Sequence, residues 1–285
     1  MSVERAVDCA CELGEGPIWH PDEERLYWVD IDAGRVHRFD PATETHDVAY
    51  ETDVVSGITV QRDGSLLMFM DRRRVGHLVD GDLAAVERVV DQKEESRFND
   101  VVADPAGRVF CGTMPTDSRG GRLHRLDTDG TTTVVAEGVG IPNGMGFTRD
   151  RTRMYFTETE ADTIYRYAYD ESTGELSDRE WFVTTPETPG LPDGLTVDAA
   201  GAVWSARWEG GCVVRYDPDG TEVERIDLPA EKVTSVAFGA RDLDRLYVTT
   251  GGGLNRPTDG PGAGALFRLD PGVGGRAEFR SAVDL

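Results

Sequence analysis

Lysine is almost missing from this chain. Lys93 and Lys232 are the only two, and the other 28 of the 30 basic residues are arginine. Against them stand 53 acidic residues, for a net charge of −23. No basic stripe is present, and an acidic surface repels nucleic acid, so that class of partner is excluded. The acids are spread through the whole chain, which reads as a solvated acidic surface. Such self-repulsion relaxes only when salt screens it, and this acid-rich, lysine-poor composition resembles that of proteins from halophilic organisms. No apolar run approaches the roughly 18 residues of a membrane helix, so no membrane partner is expected. The opening MSVERAVDCACEL has no charged start followed by an apolar core, so no signal peptide is expected and the reading is cytoplasmic. The four cysteines, Cys9, Cys11, Cys111 and Cys212, form no C-x-x-C pair of a zinc or redox motif and read as reduced thiols. Convincing helical periodicity is also lacking.

What the chain does have is a repeat. The stretches GEGPIW, SGITV, NDVVA, NGMGF, DGLTV and SVAF are short apolar runs, each introduced by one polar residue: Glu15, Ser56, Asn99, Asn143, Asp193 and Ser235. Their separations are 41, 43, 44, 50 and 42 residues. A period in the forties with strand-like content is the mark of a β-propeller. A second strand follows each of these (RLYWVD, SLLMFM, RVFCGT, RMYFTE, AVWSAR, RLYVTT), and a third often ends in Arg, an apolar residue and Asp before a turn. Weaker fourth strands complete the units.

The expected fold is therefore all-β: one six-bladed propeller domain spanning 1–285, with four antiparallel strands per blade. Residues 3–10 precede the first inner strand with no blade before them. They are expected to close the ring by pairing with the sixth blade, in competition with the C-terminal AEFRSAV. Five tryptophans, Trp19, Trp28, Trp181, Trp204 and Trp208, read as blade core, with Trp208 the best candidate for a sugar platform.

The first strand of each blade lines the axis, so the six polar residues form a ring at one mouth of the channel. Glu15, Asn143 and Asp193, with Asn99 as a fourth, are the oxygen ligands that a hard cation takes. No histidine stands in the ring. This disfavours nitrogen-rich zinc coordination and leaves calcium, magnesium, manganese or iron(II) open.

In order and spacing, GEGPIW, RFND, GTM, PNG and PDG resemble the gluconolactonase, senescence-marker-protein (regucalcin) and luciferin-regenerating-enzyme-like family over residues 12 to 270. LGEGPIWH is most like bacterial sugar-acid lactonases. The resemblance implies that Glu15, Asn143 and Asp193 hold one divalent cation: calcium, or zinc, manganese, magnesium or iron(II). It also implies that Arg97, Asn99 and Asp117 contact the substrate. The segments 115–121 and 252–264 look short beside family versions. The implied activity is hydrolysis of an aldonolactone (xylono-, arabino-, galactono- or gluconolactone) to the open acid, by a monomer or small homo-oligomer. Asp193 is the expected base. The alternatives are a related phosphotriesterase or arylesterase, and a non-catalytic calcium-binding propeller. Asp100 reads either as a partner behind Asn99 or as a strand-start turn.

Overall fold

The computed structural model describes residues 2–88, 96–185 and 189–285. The chain forms six four-stranded antiparallel sheets. Strand β1 (Val3–Val7) comes first. Blade 1 holds β2 (Gly14–His20), β3 (Arg25–Asp30), β4 (Arg35–Asp40) and β5 (Thr45–Glu51). Blade 2 holds β6 (Val55–Val60), β7 (Leu66–Met70), β8 (Arg74–Val79) and β9 (Asp82–Arg88), and blade 3 holds β10 (Phe98–Ala103), β11 (Val109–Thr113), β12 (Gly121–Leu126) and β13 (Thr132–Val139). Blade 4 is β14 (Pro142–Phe147), β15 (Arg153–Glu158), β16 (Thr163–Asp170) and β17 (Glu175–Thr184). Blade 5 is β18 (Leu191–Val197), β19 (Val203–Trp208), β20 (Cys212–Tyr216) and β21 (Glu222–Asp227). Blade 6 is β22 (Val233–Gly239), β23 (Arg245–Thr250) and β24 (Leu266–Leu269), and β1 is its fourth, outermost strand. The N-terminal strand thus closes the ring, as its position before the first repeat implies.

Burial follows radius. Inner strands such as β6 and β22 are buried throughout, whereas outer β5 and β21 are mostly exposed. The cores lie between neighbouring blades, each burying apolar faces from two adjacent sheets. Full burial of a side chain such as Phe69 or Phe156 contributes about 1.5–3 kcal/mol before entropy is counted. Trp28 and Trp204 are wholly buried and Trp19 nearly so, as expected of blade core. Trp181 is the exception, 77% exposed on an outer strand.

The C-terminal AEFRSAV forms no blade strand. Residues 271–285 instead cross the far end of the channel. The Gly275 and Ser281 amides donate to Leu243 and Val60, and the Ala199 and Arg62 amides donate to Gly274 and Ser281. Ala282 and Asp284 tie the segment to blade 3 through Gly107 and Thr128. Arg276 donates to the Phe147 carbonyl and Arg280 to the Asp22 carboxylate. With Thr196 bonded to Glu278, every blade is tied to this one segment. Its start, PGVGG, suits a crossing loop and not a strand.

No helix among the described residues is long and apolar enough to cross a membrane. The one short α-helix among the described residues, Arg256–Asp259, lies in the segment after β23 and is held by the Lys232–Asp259 ion pair at 2.9 Å.

Candidate functional site

Each inner strand carries a register shift at, or directly beside, its ring residue. Pairing slips between Glu15 and Ile18, Val55 and Gly57, Phe98 and Val101, Asn143 and Met145, Pro192 and Leu195, and Val233 and Ser235. A bulge re-aims a side chain and ends regular pairing. Repeated six times, it turns one polar residue per blade toward the axis. The glycines that follow have a packing reason. A Cβ on Gly194 would lie 2.1 Å from Ser235 Oγ, and one on Gly144 would lie 2.4 Å from the Leu195 amide nitrogen. Only glycine lets adjacent inner strands approach this closely, which explains the Gly of PNG and PDG.

All six ring residues are buried. Asn99 Nδ2 donates to Asn143 Oδ1 and to the Pro142 carbonyl, both at 2.8 Å. Asn143 Nδ2 donates to Thr159 Oγ1, which itself donates to the Pro192 carbonyl, also at 2.8 Å. The Asn143 amide is therefore locked with its oxygen turned toward Asn99. Arg97 Nη1 donates to Asn99 Oδ1 at 2.7 Å and to the Phe98 carbonyl at 2.9 Å. This chain of bonds crosses blades 3, 4 and 5.

The remaining groups are acids. Glu15 Oε2 accepts the Gly16 amide at 3.1 Å. Asp193 Oδ1 is buried and has no hydrogen-bond partner. Burial and the charges of Asp193 and Asp100 push the Glu15 carboxyl well above its ordinary value. Burial and Asp100 do the same to Asp193, and burial raises Asp100 to about 7. Burial also lowers Arg97, although Asp32, Glu15, Asp100 and Asp193 oppose this. Three carboxyls that raise one another electrostatically near one guanidinium make an acidic pocket, and an orphaned buried carboxylate oxygen is costly. A divalent cation removes both penalties, and Glu15, Asp193 and the Asn143 oxygen are all hard donors suited to it. The residues fit the group.

The serines differ. Ser56 Oγ is buried without a partner, and Ser235 packs against Gly194. Both line the channel, whose cavity of about 60 Å³ runs down to Glu278 and Phe279. Asp117 stands apart. It is exposed in the tight turn bridged by Thr116 and Arg119, and no described contact joins it to the ring. Trp208 is half-buried, with Lys232 Nζ 5.4 Å from its ring centroid.

Sequence reasoning left Asp100 undecided between two readings. Here it lines the channel beneath the ring and acts on both acids electrostatically. Thr159 was missed altogether. It follows β15, in a 3-10 turn (Thr159–Ala161) outside the repeat pattern, and no spacing signal marks it. His20 ends an inner strand, at the end away from the ring, so the ring has no histidine.

Residues 13–252 match the family model for the SMP-30/gluconolactonase/LRE-like region. The chain is 68% identical to a pentonolactonase of Haloferax volcanii, with all of both chains covered. It is 36% identical to a 6-deoxy-6-sulfogluconolactonase of Pseudomonas putida, over 93% of this chain and 94% of that one. Its fold superposes on a calcium-binding protein, regucalcin, of Agrobacterium tumefaciens with a TM-score of 0.89 at 26% identity, covering 100% and 98% of the two chains. The chain belongs to the SMP-30/gluconolactonase/LRE-like family.

Proposed function

We propose that this protein is a divalent-metal-dependent lactonase that opens a sugar-acid lactone, a pentonolactone first among candidates, to the free aldonic acid. The cation rests on Glu15, Asn143 and Asp193; when bound, it polarises the lactone carbonyl and stabilises the oxyanion. The observation that carries this reading is the partnerless Asp193 Oδ1, buried beside Glu15 and Asn143 in a chain so similar to a pentonolactonase. Arg97, joined to Asn99 Oδ1 at 2.7 Å, presents its remaining guanidinium N–H groups at the mouth to orient the polyol, and Asn99, whose two N–H groups are taken by Asn143 and Pro142, offers its oxygen as an acceptor. Asp117, on its exposed turn, reaches substrate hydroxyls only from the rim. Asp193 accepts a proton from the attacking water. The substrate is small and polar, so a few converging hydrogen bonds at a concave mouth suffice. The protein works in the cytoplasm, as a monomer or small homo-oligomer.

A panel of pentono- and hexonolactones, assayed after chelation and again after adding back single metals, tests this reading. Turnover of at least one pentonolactone, lost on chelation and restored by a divalent cation, is expected. Lactone turnover unaffected by chelation, or turnover of phosphotriesters alone, overturns it.

Adaptation to high salt belongs to the same proposal. Surface ion pairs such as Arg268–Glu4 and Arg280–Asp22 neutralise some acids, but a net charge of −23 remains. Below about 0.1 M salt the screening length exceeds roughly 10 Å and this repulsion acts across the surface. Tm is expected to rise steadily from dilute buffer to molar salt. A Tm that is flat, or highest in dilute buffer, removes the halophilic reading and leaves the ring untouched.

A further inference from the structure

Where the ring of blades closes, a second cluster of ligand-type side chains is buried, different in chemistry from the all-oxygen ring. Cys11 Sγ, an Asp30 carboxylate oxygen and a His37 ring nitrogen all lie within 4.8 Å of one another. The three residues are 1%, 3% and 3% exposed. Cys11 Sγ is 3.7 Å from His37 Nε2 and 3.3 Å from Cys9 Sγ. Bonds of about 2.3 Å to sulfur and 2.0 Å to nitrogen, at tetrahedral angles, set ligand atoms roughly 3.5–3.8 Å apart. The Cys11–His37 separation falls inside that range, and the Cys9–Cys11 separation is slightly shorter. We infer that Cys11, His37 and Asp30 form a structural zinc site separate from the channel cation, with Cys9, in contact with Cys11 but outside the 4.8 Å group, as the fourth ligand that moves in to complete it.

The surroundings are those of a built site. His37 Nδ1 is 2.9 Å from His46 Nε2, so the second nitrogen of the ring is occupied and Nε2 is turned toward the sulfur. An outer partner of this kind fixes the tautomer and plane of a ligating histidine. The Trp28 indole fixes the plane further, with His37 and His46 stacked at centroid distances of 5.0 and 5.3 Å. Asp30 accepts the Glu12 and Leu13 amides, both at 3.0 Å, and a carboxylate has lone pairs left for a metal. Cys9 Sγ donates to the Gly264 carbonyl at 3.1 Å, and as a thiolate it is free of that role.

The position gives the site a purpose. Cys9 and Cys11 directly follow β1, which pairs with β24 of blade 6, while Asp30 and His37 belong to β3 and β4 of blade 1. The Cys11 amide also donates to Gly264 at 2.8 Å. Zinc here clamps the closing strand to the first blade across the one seam where the chain's beginning meets its last blade. Two soft thiolates and an imidazole select zinc over the hard cation that the all-oxygen ring favours.

Cobalt is the spectroscopic probe. The chelated, reduced full-length protein is titrated with Co²⁺, followed by Zn²⁺. A thiolate-to-cobalt charge-transfer band saturating at one equivalent and bleached by Zn²⁺ is expected, in wild type and equally in Asp193→Asn. The band should vanish in Cys11→Ser and His37→Gln. In His46→Ala, which removes only the outer partner, affinity should fall about 10–100-fold. With the channel ring saturated by Ca²⁺, Zn²⁺ should still raise the Tm of wild type but not of His37→Gln. Lactone turnover by His37→Gln checks that this variant folds should Cys11→Ser fail to. Three results overturn the site: no band in wild type with all four thiols titratable, a band that survives His37→Gln, or a thiol count taken before reduction that is two short and reveals a Cys9–Cys11 disulfide.

Discussion

Asp193→Asn, assayed at saturating metal, is expected to lose about 10²–10⁴-fold in kcat, the usual worth of a general base. The substitution keeps the shape and one ligating oxygen, and removes only the charge that accepts a proton. Asp193 is suited to the role because its partnerless Oδ1 can hold the cation while the second oxygen accepts the proton of the attacking water. Burial and the neighbouring Asp100 charge raise its carboxyl, which makes it a stronger base than an ordinary aspartate until the cation counters the effect. Neither amide can substitute. Asn143 has no basic group, and its oxygen already accepts from Asn99 at 2.8 Å. Asn143→Asp is therefore expected to cost far less kcat than Asp193→Asn. Near-wild-type turnover by Asp193→Asn at high metal would reduce Asp193 to a ligand.

The second large effect is on metal affinity. Glu15→Ala, Asn143→Ala and Asp193→Ala are each expected to weaken the channel cation by more than the roughly 10–100-fold typical of lost outer partners. Ser56→Ala and Ser235→Ala occupy equivalent ring positions and should change affinity little. Calorimetric titration of the five variants makes the comparison, and equal losses across all five would mean that the ring has been read wrongly. Affinity in wild type should also fall as pH drops through about 7, because protons then compete for Asp100, Glu15 and Asp193. The raised carboxyls give metal-free stability the opposite slope. Protonation of these acids stabilises the fold fully below their unfolded values of about 4, and that stability is lost as pH rises through their folded values. The metal-free protein should thus melt higher at pH 5 than at pH 8, and added cation should reverse the order. A metal-free Tm that rises with pH contradicts the crowding of these acids.

The sequence by itself determined the repeat, the six blades and the one polar residue on each inner strand. These are local properties: strand alternation, turn chemistry and one polar residue at the head of each inner strand recur every forty-odd residues, whatever the rest of the chain does. Closure by β1 was also readable, because a strand with no blade of its own has one open edge to fill. Tertiary structure alone decided the rest. The C-terminal residues 271–285 cross the channel floor because backbone partners for them are offered by Leu243, Gly107 and Val60, which lie far apart in sequence. The raised carboxyl of Asp100 comes from desolvation at its half-buried place in the channel lining, a property that no spacing encodes. Thr159 bonds Asn143 only because blades 4 and 5 meet there, and Asp117 is exposed on a separate turn. Cys11 and His37 are 26 residues apart and unremarked by any motif, yet 3.7 Å apart in space. Periodicity reports which residues repeat along a chain. It is silent on contacts made between blades, and there the charges, the locked amide and the thiol–imidazole cluster acquire their chemistry.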